Sequence, residues 1–329
     1  MTTSELNTEL NLEACRTQDP LWILRTGSLL AQRGEAPPAT AAFQDLLHAA
    51  QDQAEGCRSL APMAVQREIE AIIMSRGAAL GLQWLRDTGA MGIWLPELEA
   101  TVNFSQEAGR RHKDVWEHTK QVVYQAVPRQ AVRWAALLHD IGKVPTRTFT
   151  TDGKVHFHRH SEVGARMFDD VGRRLQLDRG LCRTLRFLIL HHLRANQYVE
   201  TWTDSAVRRF DREMDHHLKD LLDLSRADIT SRRPGKRQAA LASISALSGR
   251  IDGLRAEDAI RPPLPSGIGD AIMERFKLPP SRLIGDLKRA LEQAVADGKL
   301  EPHQESPYYL PFVEQLLAEA PNAPCTCAE

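Results

Sequence analysis

Apolar residues recur at three- and four-residue spacing along nearly the whole chain, and the strict alternation of a half-buried strand is almost absent. The pattern predicts helices over residues 41–54, 63–74, 79–85, 114–127, 130–138, 160–175, 180–193, 219–226, 236–254, 268–276, 282–297 and 309–318. Prolines and glycines punctuate them: Pro37-Pro38, Pro128, Pro145, Pro234-Gly235, Pro262-Pro263-Leu264-Pro265, Pro279-Pro280 and Asp297-Gly298 end or start elements. A short hairpin or exposed loop is expected at 148–157, where Thr151-Asp152-Gly153-Lys154 is a turn signal. The expected fold class is all-α, cut into helical units at about 1–100, 101–233 and 234–329, with a frayed end at 320–329.

Composition narrows the function classes. The chain has 329 residues, enough for a sizeable core, with 42% hydrophobic and 26% charged residues, as in ordinary globular proteins. It has no apolar run of about 18 residues, so no membrane span or membrane partner is expected. Its polar start resembles neither a signal nor a transit peptide. Five scattered cysteines (Cys15, Cys57, Cys182, Cys325, Cys327) argue against a disulfide framework and for a reduced, cytoplasmic setting. A net charge of -1 gives no bulk attraction to polyanions, but residues 173–194 and 231–261 are locally basic. Either stripe reads as a polyanion surface or as a solvated helix face.

The chemistry concentrates in the middle third, where ten of the twelve histidines lie between His112 and His217. His139 and Asp140 end the apolar run Ala135-Ala136-Leu137-Leu138. An ionisable pair in such a place needs compensation, and a divalent cation is the strongest available. Val115, His118 and Val122 share one helix face, so His118 points where the apolar residues point. Leu221, Leu224, Ser225 and Asp228 form another such stripe, which Asp228 extends. His118, His139, Asp140 and Asp228 are therefore candidate ligands of mixed nitrogen and oxygen character, suited to Mn, Ni, Co, Fe or Mg. Taken singly, His118 also reads as a hydrogen-bonded core histidine, His139-Asp140 as a helix-terminal pair, and Asp228 as a partner of Arg226 or Arg232. No GxxxxGK[ST] or GxGxxG sequence is present, so P-loop and Rossmann nucleotide binding are unsupported.

The order His118…His139-Asp140…Asp228 resembles the HD superfamily of metal-dependent phosphohydrolases. The resemblance implies a multi-helix HD core flanked by N- and C-terminal helical units. It also implies that Lys143, in the family's HDxGK position, neutralises a phosphoryl oxygen. His160 and His192, with His191 as the alternative to His192, correspond to histidines that in expanded sites help bind a second metal or the phosphate. His156 and His158 are expected at the rim.

A narrower resemblance runs from about residue 18 to 315. Asp19-Pro-Leu-Trp-Ile-Leu-Arg25 and Leu82 to Glu97 resemble the neck and body of bacterial CCA-adding enzymes. His112 to Thr119 and Trp134 to Lys143 resemble their HD-containing subgroup, and Pro279 to Leu300 their tail. Two departures stand out. About eighteen residues precede the neck motif, too few for a nucleotidyltransferase head, and Gln18-Asp19-Pro-Leu-Trp22 replaces the family's Glu-Asp-x-x-Arg. Tryptophan offers one donor and no charge, so it cannot read a base edge as arginine does.

What the resemblance implies is hydrolysis of 2′,3′-cyclic phosphates or 2′-phosphates on nucleotides or RNA ends, without nucleotide addition. The expected partners are RNA ends, tRNA or small nucleotides. Two rivals stand beside this reading: a nucleotidase for free small nucleotides, and a non-catalytic tRNA- or RNA-binding module.

Overall fold

The computed structural model describes residues 19–37, 39–104, 114–150, 154–231, 233–260 and 262–319. His112, Gln18, Arg232, the turn at 151–153 and the end at 320–329 lie outside them.

The first helices are α1 (Leu21–Arg33), α2 (Ala41–Gln53), α3 (Pro62–Met74), α4 (Ala78–Asp87), α5 (Ala90–Trp94) and α6 (Pro96–Glu99). They start and stop where local chemistry dictates. Gly34 closes α1 with a left-handed φ of 69°, the hydroxyl of Thr40 accepts from the Phe43 N–H at the head of α2, and Pro62 opens α3. Next come α7 (Val115–Gln125), α8 (Gln130–Leu138) and the single turn α9 (Lys143–Thr146). A two-stranded antiparallel hairpin follows, β1 (Arg147–Phe149) and β2 (Val155–Phe157), with Arg147 opposite Phe157 and Phe149 opposite Val155. The remaining helices are α10 (His160–Arg174), α11 (Arg179–His191), α12 (Asp204–Met214), α13 (Leu218–Asp228), α14 (Pro234–Ile260), α15 (Ile268–Phe276), α16 (Arg282–Ala296) and α17 (Ser306–Glu319). The fold is all-α, with β1 and β2 the only strands among the described residues.

The chain divides into two compact units. The first comprises residues 1–197 and 216–244. Its centre is α8, against which α3, α7, α11 and α13 pack. That surrounding explains why α8 is apolar on every side: Val132, Trp134, Ala135, Ala136, Leu137 and Leu138 are all buried. Its one buried cation, Arg133, donates to the Ile73 carbonyl oxygen at 2.9 Å. The second unit comprises residues 198–215 and 245–329. Its core joins Leu264, Ile268, Ile272, Ile284, Leu287, Leu291, Val295, Tyr309 and Val313. Within it the buried Tyr309 hydroxyl donates to the Glu301 carbonyl oxygen at 2.9 Å.

Two of the longer helices, α1 and α12, escaped the periodicity, as did the short α5, α6 and α9. In α12 only Val207, Phe210 and Met214 are buried, and the intervening positions are mostly charged, so the apolar signal is thin. In α1 the run Thr26-Gly27-Ser28 reads as an interruption. Both hydroxyls are instead satisfied inside the fold, Thr26 by donating to the Trp22 carbonyl oxygen (3.0 Å) and Ser28 to the Glu68 carboxylate (2.6 Å).

Candidate metal centre

Each candidate ligand stands where an element begins or ends. Asp114 caps α7 by accepting from the Glu117 N–H at 3.1 Å, which places His118 one turn into the helix between the buried Val115 and Val122. His139 follows the last residue of α8, and the chain then leaves through Asp140, Ile141 and Gly142. Gly142 is required by a close approach rather than by its φ of -70°. A Cβ there would overlap the His160 carbonyl oxygen and crowd the backbone of Gly164. The missing side chain thus lets the start of α10, with His160, reach the end of α8. Asp228 is the last residue of α13. Gln125 of α7 donates to the Ala227 carbonyl oxygen at 2.7 Å and so ties that helix end to the His118 helix.

The side chains converge as two adjoining groups. In the first, the Nε2 atoms of His118 and His139 are 3.3 Å apart, His118 Nε2 is 3.0 Å from Asp228 Oδ1, and His139 Nε2 is 3.2 Å from Asp140 Oδ2. The other oxygen, Asp140 Oδ1, faces the second group, 3.6 Å from His160 Nε2 and 4.0 Å from His192 Nε2. The His160 and His192 Nε2 atoms are 3.3 Å apart. Lys143 Nζ lies 2.7 Å from Asp140 Oδ2.

The opposite ring nitrogens reveal what the Nε2 atoms offer. The Nδ1 of His139, His160 and His192 lies 2.7–2.9 Å from the carbonyl oxygens of Ala136, Phe157 and Ile189, respectively. A carbonyl only accepts, so each Nδ1 carries a hydrogen; a neutral ring then turns the lone pair of its Nε2 toward the cluster, and a protonated one turns an N–H. His118 Nδ1 meets the Thr230 hydroxyl at 2.9 Å. This outer ring of partners orients the imidazoles as ligands are oriented in metal sites.

Electrostatics separates the histidines. Burial would push the His139 imidazole down, but Asp140 and Asp228 more than reverse it, to about 10. Burial also raises the carboxyls of Asp140 and Asp228. The charges and hydrogen bonds around them outweigh it, from His139 and Lys143 for Asp140 and from His118 and His139 for Asp228, and hold both well below the ordinary range. His192 goes the other way, held to about 4 by burial and by the charge on His139. Burial lowers His160 as well. In the second group two neutral imidazoles and a carboxylate oxygen therefore face one another, all acceptors, with no proton to share.

A divalent cation fits this donor set. Ligand atoms about 2.0–2.2 Å from one ion stand roughly 2.9–3.5 Å apart in tetrahedral or octahedral arrangement. The first group has that spacing and the second is slightly wider. The two sets, His118/His139/Asp228 and Asp140/His160/His192, are the candidate ion-holding groups among the described residues.

All seven sequence candidates thus meet at one place. His192 rather than His191 faces the cluster, since the His191 ring packs against Phe187 at 4.4 Å. His156 and His158 lie ring to ring at 5.2 Å, next to the site in sequence and outside both donor groups. Thr230, which holds His118, was not singled out; its nearness to Asp228 in sequence was the only signal. Several arginines of the basic stripes are paired with carboxylates. Arg174 pairs with Glu97, Arg173 with Asp170, Arg186 with Asp169, Arg250 with Asp204 and Arg255 with Asp211.

Comparison with known proteins agrees with this architecture. Residues 100–233 match the HD domain. The A-adding tRNA nucleotidyltransferase of Deinococcus radiodurans is 32% identical over 270 residues, covering 79% of this chain and 59% of that protein. The CC-adding tRNA nucleotidyltransferase of Thermus thermophilus is 30% identical over 256 residues, 75% of this chain and 55% of that protein. The multifunctional CCA protein of Pseudomonas aeruginosa is 28% identical over 187 residues, 56% of this chain and 45% of that protein. The chain spans a little over half the length of the first two relatives. It carries an HD domain, the fold of a metal-dependent hydrolase superfamily, within a body that resembles the CCA-adding tRNA nucleotidyltransferases.

Proposed function

We propose that this protein is a divalent-metal-dependent phosphohydrolase or phosphodiesterase acting on nucleotides or RNA ends that bear a 2′,3′-cyclic phosphate or a 2′-phosphate. The observation that carries the reading is the pair of donor groups sharing Asp140, in which acceptor atoms face one another as close as 3.3 Å with their outer nitrogens already committed. When bound, a divalent ion there supplies charge to a phosphoryl oxygen and lowers the pKa of water toward neutrality. His118, His139 and Asp228 would hold one ion, and His160 and His192 would line a second position, with Asp140 presenting one oxygen to each group. Lys143, half-buried beside Asp140, adds a fixed positive charge for the phosphoryl group. The donor set of four imidazoles and two carboxylates suits Mn, Ni, Co, Fe or Mg.

Nucleotide addition is not part of this proposal. At the position of the family's selecting arginine, Trp22 is 5% exposed and donates its indole N–H to Gln53 Oε1 at 3.0 Å, so it is committed to the core. Among the described residues no helix is long and apolar enough to cross a membrane. The scattered, odd-numbered cysteines support a reduced, cytoplasmic setting as part of the proposal.

The test is a metal-by-substrate screen of the full chain against 2′,3′-cyclic mononucleotides, 2′-phosphorylated nucleotides and RNA oligomers with defined ends. Turnover that requires added metal supports the reading. Turnover confined to free nucleotides favours the nucleotidase. Metal binding with no phosphoester hydrolysis replaces the hydrolase by an RNA-binding module.

A further inference from the structure

The hairpin beside the donor cluster carries side chains that the hydrolytic reading does not use. Strand alternation puts Arg147, Phe149, Val155 and Phe157 on one face, and Thr148 with His156 on the other. On the first face a row of contacts runs outward from the cluster. Lys143 Nζ, 2.7 Å from Asp140, lies 5.7 Å from the centre of the Phe157 ring. Phe157 meets Phe104 at 6.1 Å, and the Arg147 guanidinium lies 4.1 Å from the centre of the Phe104 ring and 5.4 Å from that of Phe149. Phe104 is buried, Arg147 is exposed, and Phe149 is 62% exposed.

A single exposed phenylalanine is ordinary on a protein surface. This one differs because it ends a row whose other end is the lysine beside the cluster, and because a guanidinium already stacks between it and a buried ring. Resting on the hydrolase reading, we propose that Phe149 and Arg147 form a stacking platform for a base of an RNA 3′ end whose terminal phosphate lies at the donor cluster.

A phosphoester held at the cluster must trail its organic part outward. Flat π faces and a stacked guanidinium suit any nucleobase, and Arg147 adds charge for the connecting phosphates. Phe157, Phe104 and Arg147 intervene between Lys143 and Phe149. The base on Phe149 therefore belongs to a nucleotide upstream of the one that carries the reacting phosphate. An oligonucleotide end is then a better substrate than the corresponding mononucleotide, and the difference resides in Phe149 and Arg147.

The experiment uses the full-length, metal-loaded protein. A 2′,3′-cyclic mononucleotide is compared with a four-residue oligoribonucleotide ending in a 2′,3′-cyclic phosphate, in wild type, Phe149→Ala, Phe149→Leu, Phe149→Trp and Arg147→Ala. The tetramer should have the higher kcat/KM in wild type. Phe149→Ala should lower that advantage about tenfold, through KM rather than kcat. Phe149→Trp should retain it and Phe149→Leu should not, because leucine restores the apolar surface without a π face. Arg147→Ala should weaken the tetramer by a smaller factor. In parallel, anisotropy of a fluorescent tetramer with a 3′-phosphate measures binding without turnover, and Phe149→Ala should weaken it about tenfold as well. Absence of any hydrolysis would remove the hydrolase reading while the binding arm still reads the platform. Equal binding by wild type and Phe149→Ala, or leucine performing as well as tryptophan, would overturn the platform.

Discussion

Two regions of this protein concentrate charge, and they do so in opposite ways. In the second unit, Arg208 grips Asp258 through two hydrogen bonds of 2.8 Å, Arg255 holds Asp211 at 2.6–2.8 Å, and Arg250 holds Asp204 at 2.6 Å. Donors meet acceptors there, and each guanidinium has its carboxylate. In the second donor group of the HD cluster, acceptors meet acceptors. The Nε2 atoms of His160 and His192 face each other at 3.3 Å with both Nδ1 hydrogens directed to carbonyls, and the nearest charged oxygen is another acceptor. Density of charge therefore does not mark a site. Complementary pairs complete themselves, whereas converging like donors call for something from outside.

The sharpest way to break this contrast is Asp140→Ala, which takes one carboxylate from both donor groups. Hydrolysis of a 2′,3′-cyclic nucleotide should fall by about 10³-fold or more, with bound metal falling in parallel by elemental analysis. Retention of both metal and activity would dissolve the assignment. Lys143→Ala should cost about 10²-fold in kcat/KM while metal content holds, since one charge-assisted contact is lost and the ligands remain.

The pH dependence of the metal-free protein sharpens the same comparison. An unfolded histidine takes up a proton near 6.5, but His192 in the folded chain resists it until about 4. As pH falls through that window the unfolded state binds the extra proton, so stability is lost, by an amount of order 1–3 kcal/mol. Denaturant unfolding of metal-free wild type and His192→Leu between pH 7 and pH 4 should show a shallower slope in the variant. His139 acts with the opposite sign. Its folded value is raised to about 10, so its contribution is full below about 6.5 and fades as pH climbs toward 10. Because a bound metal must displace that proton, metal affinity should weaken as pH drops.

The smallest effect is expected where charges are already matched. Arg255 is 54% exposed and paired with Asp211. Arg255→Ala should change stability by about 1 kcal/mol or less in thermal unfolding and leave metal content and turnover at wild-type levels.

Much of this could be read along the chain. The three- and four-residue periodicity marks most helices, because a face that must be buried is written in local spacing. The α8 and α15 bounds, Gln130–Leu138 and Ile268–Phe276, are those that the spacing predicts. The order His118…His139-Asp140…Asp228 is likewise a property of the string. Weakly apolar α12 and hydroxyl-interrupted α1 were not legible, since their burial depends on partners far away in sequence. Nor could spacing show that Asp140 turns one oxygen to each donor group. That follows from Gly142 admitting the His160 backbone against it, a contact between the start of α9 and the start of α10. The choice of His192 over His191 was decided the same way, by how α11 rests on α8. The basic stripes were the reverse case. Their arginines are plain in the sequence, but tertiary packing supplies the carboxylates that pair with Arg174, Arg250 and Arg255, because charge pairing depends on separation in space and local spacing records only one helix at a time.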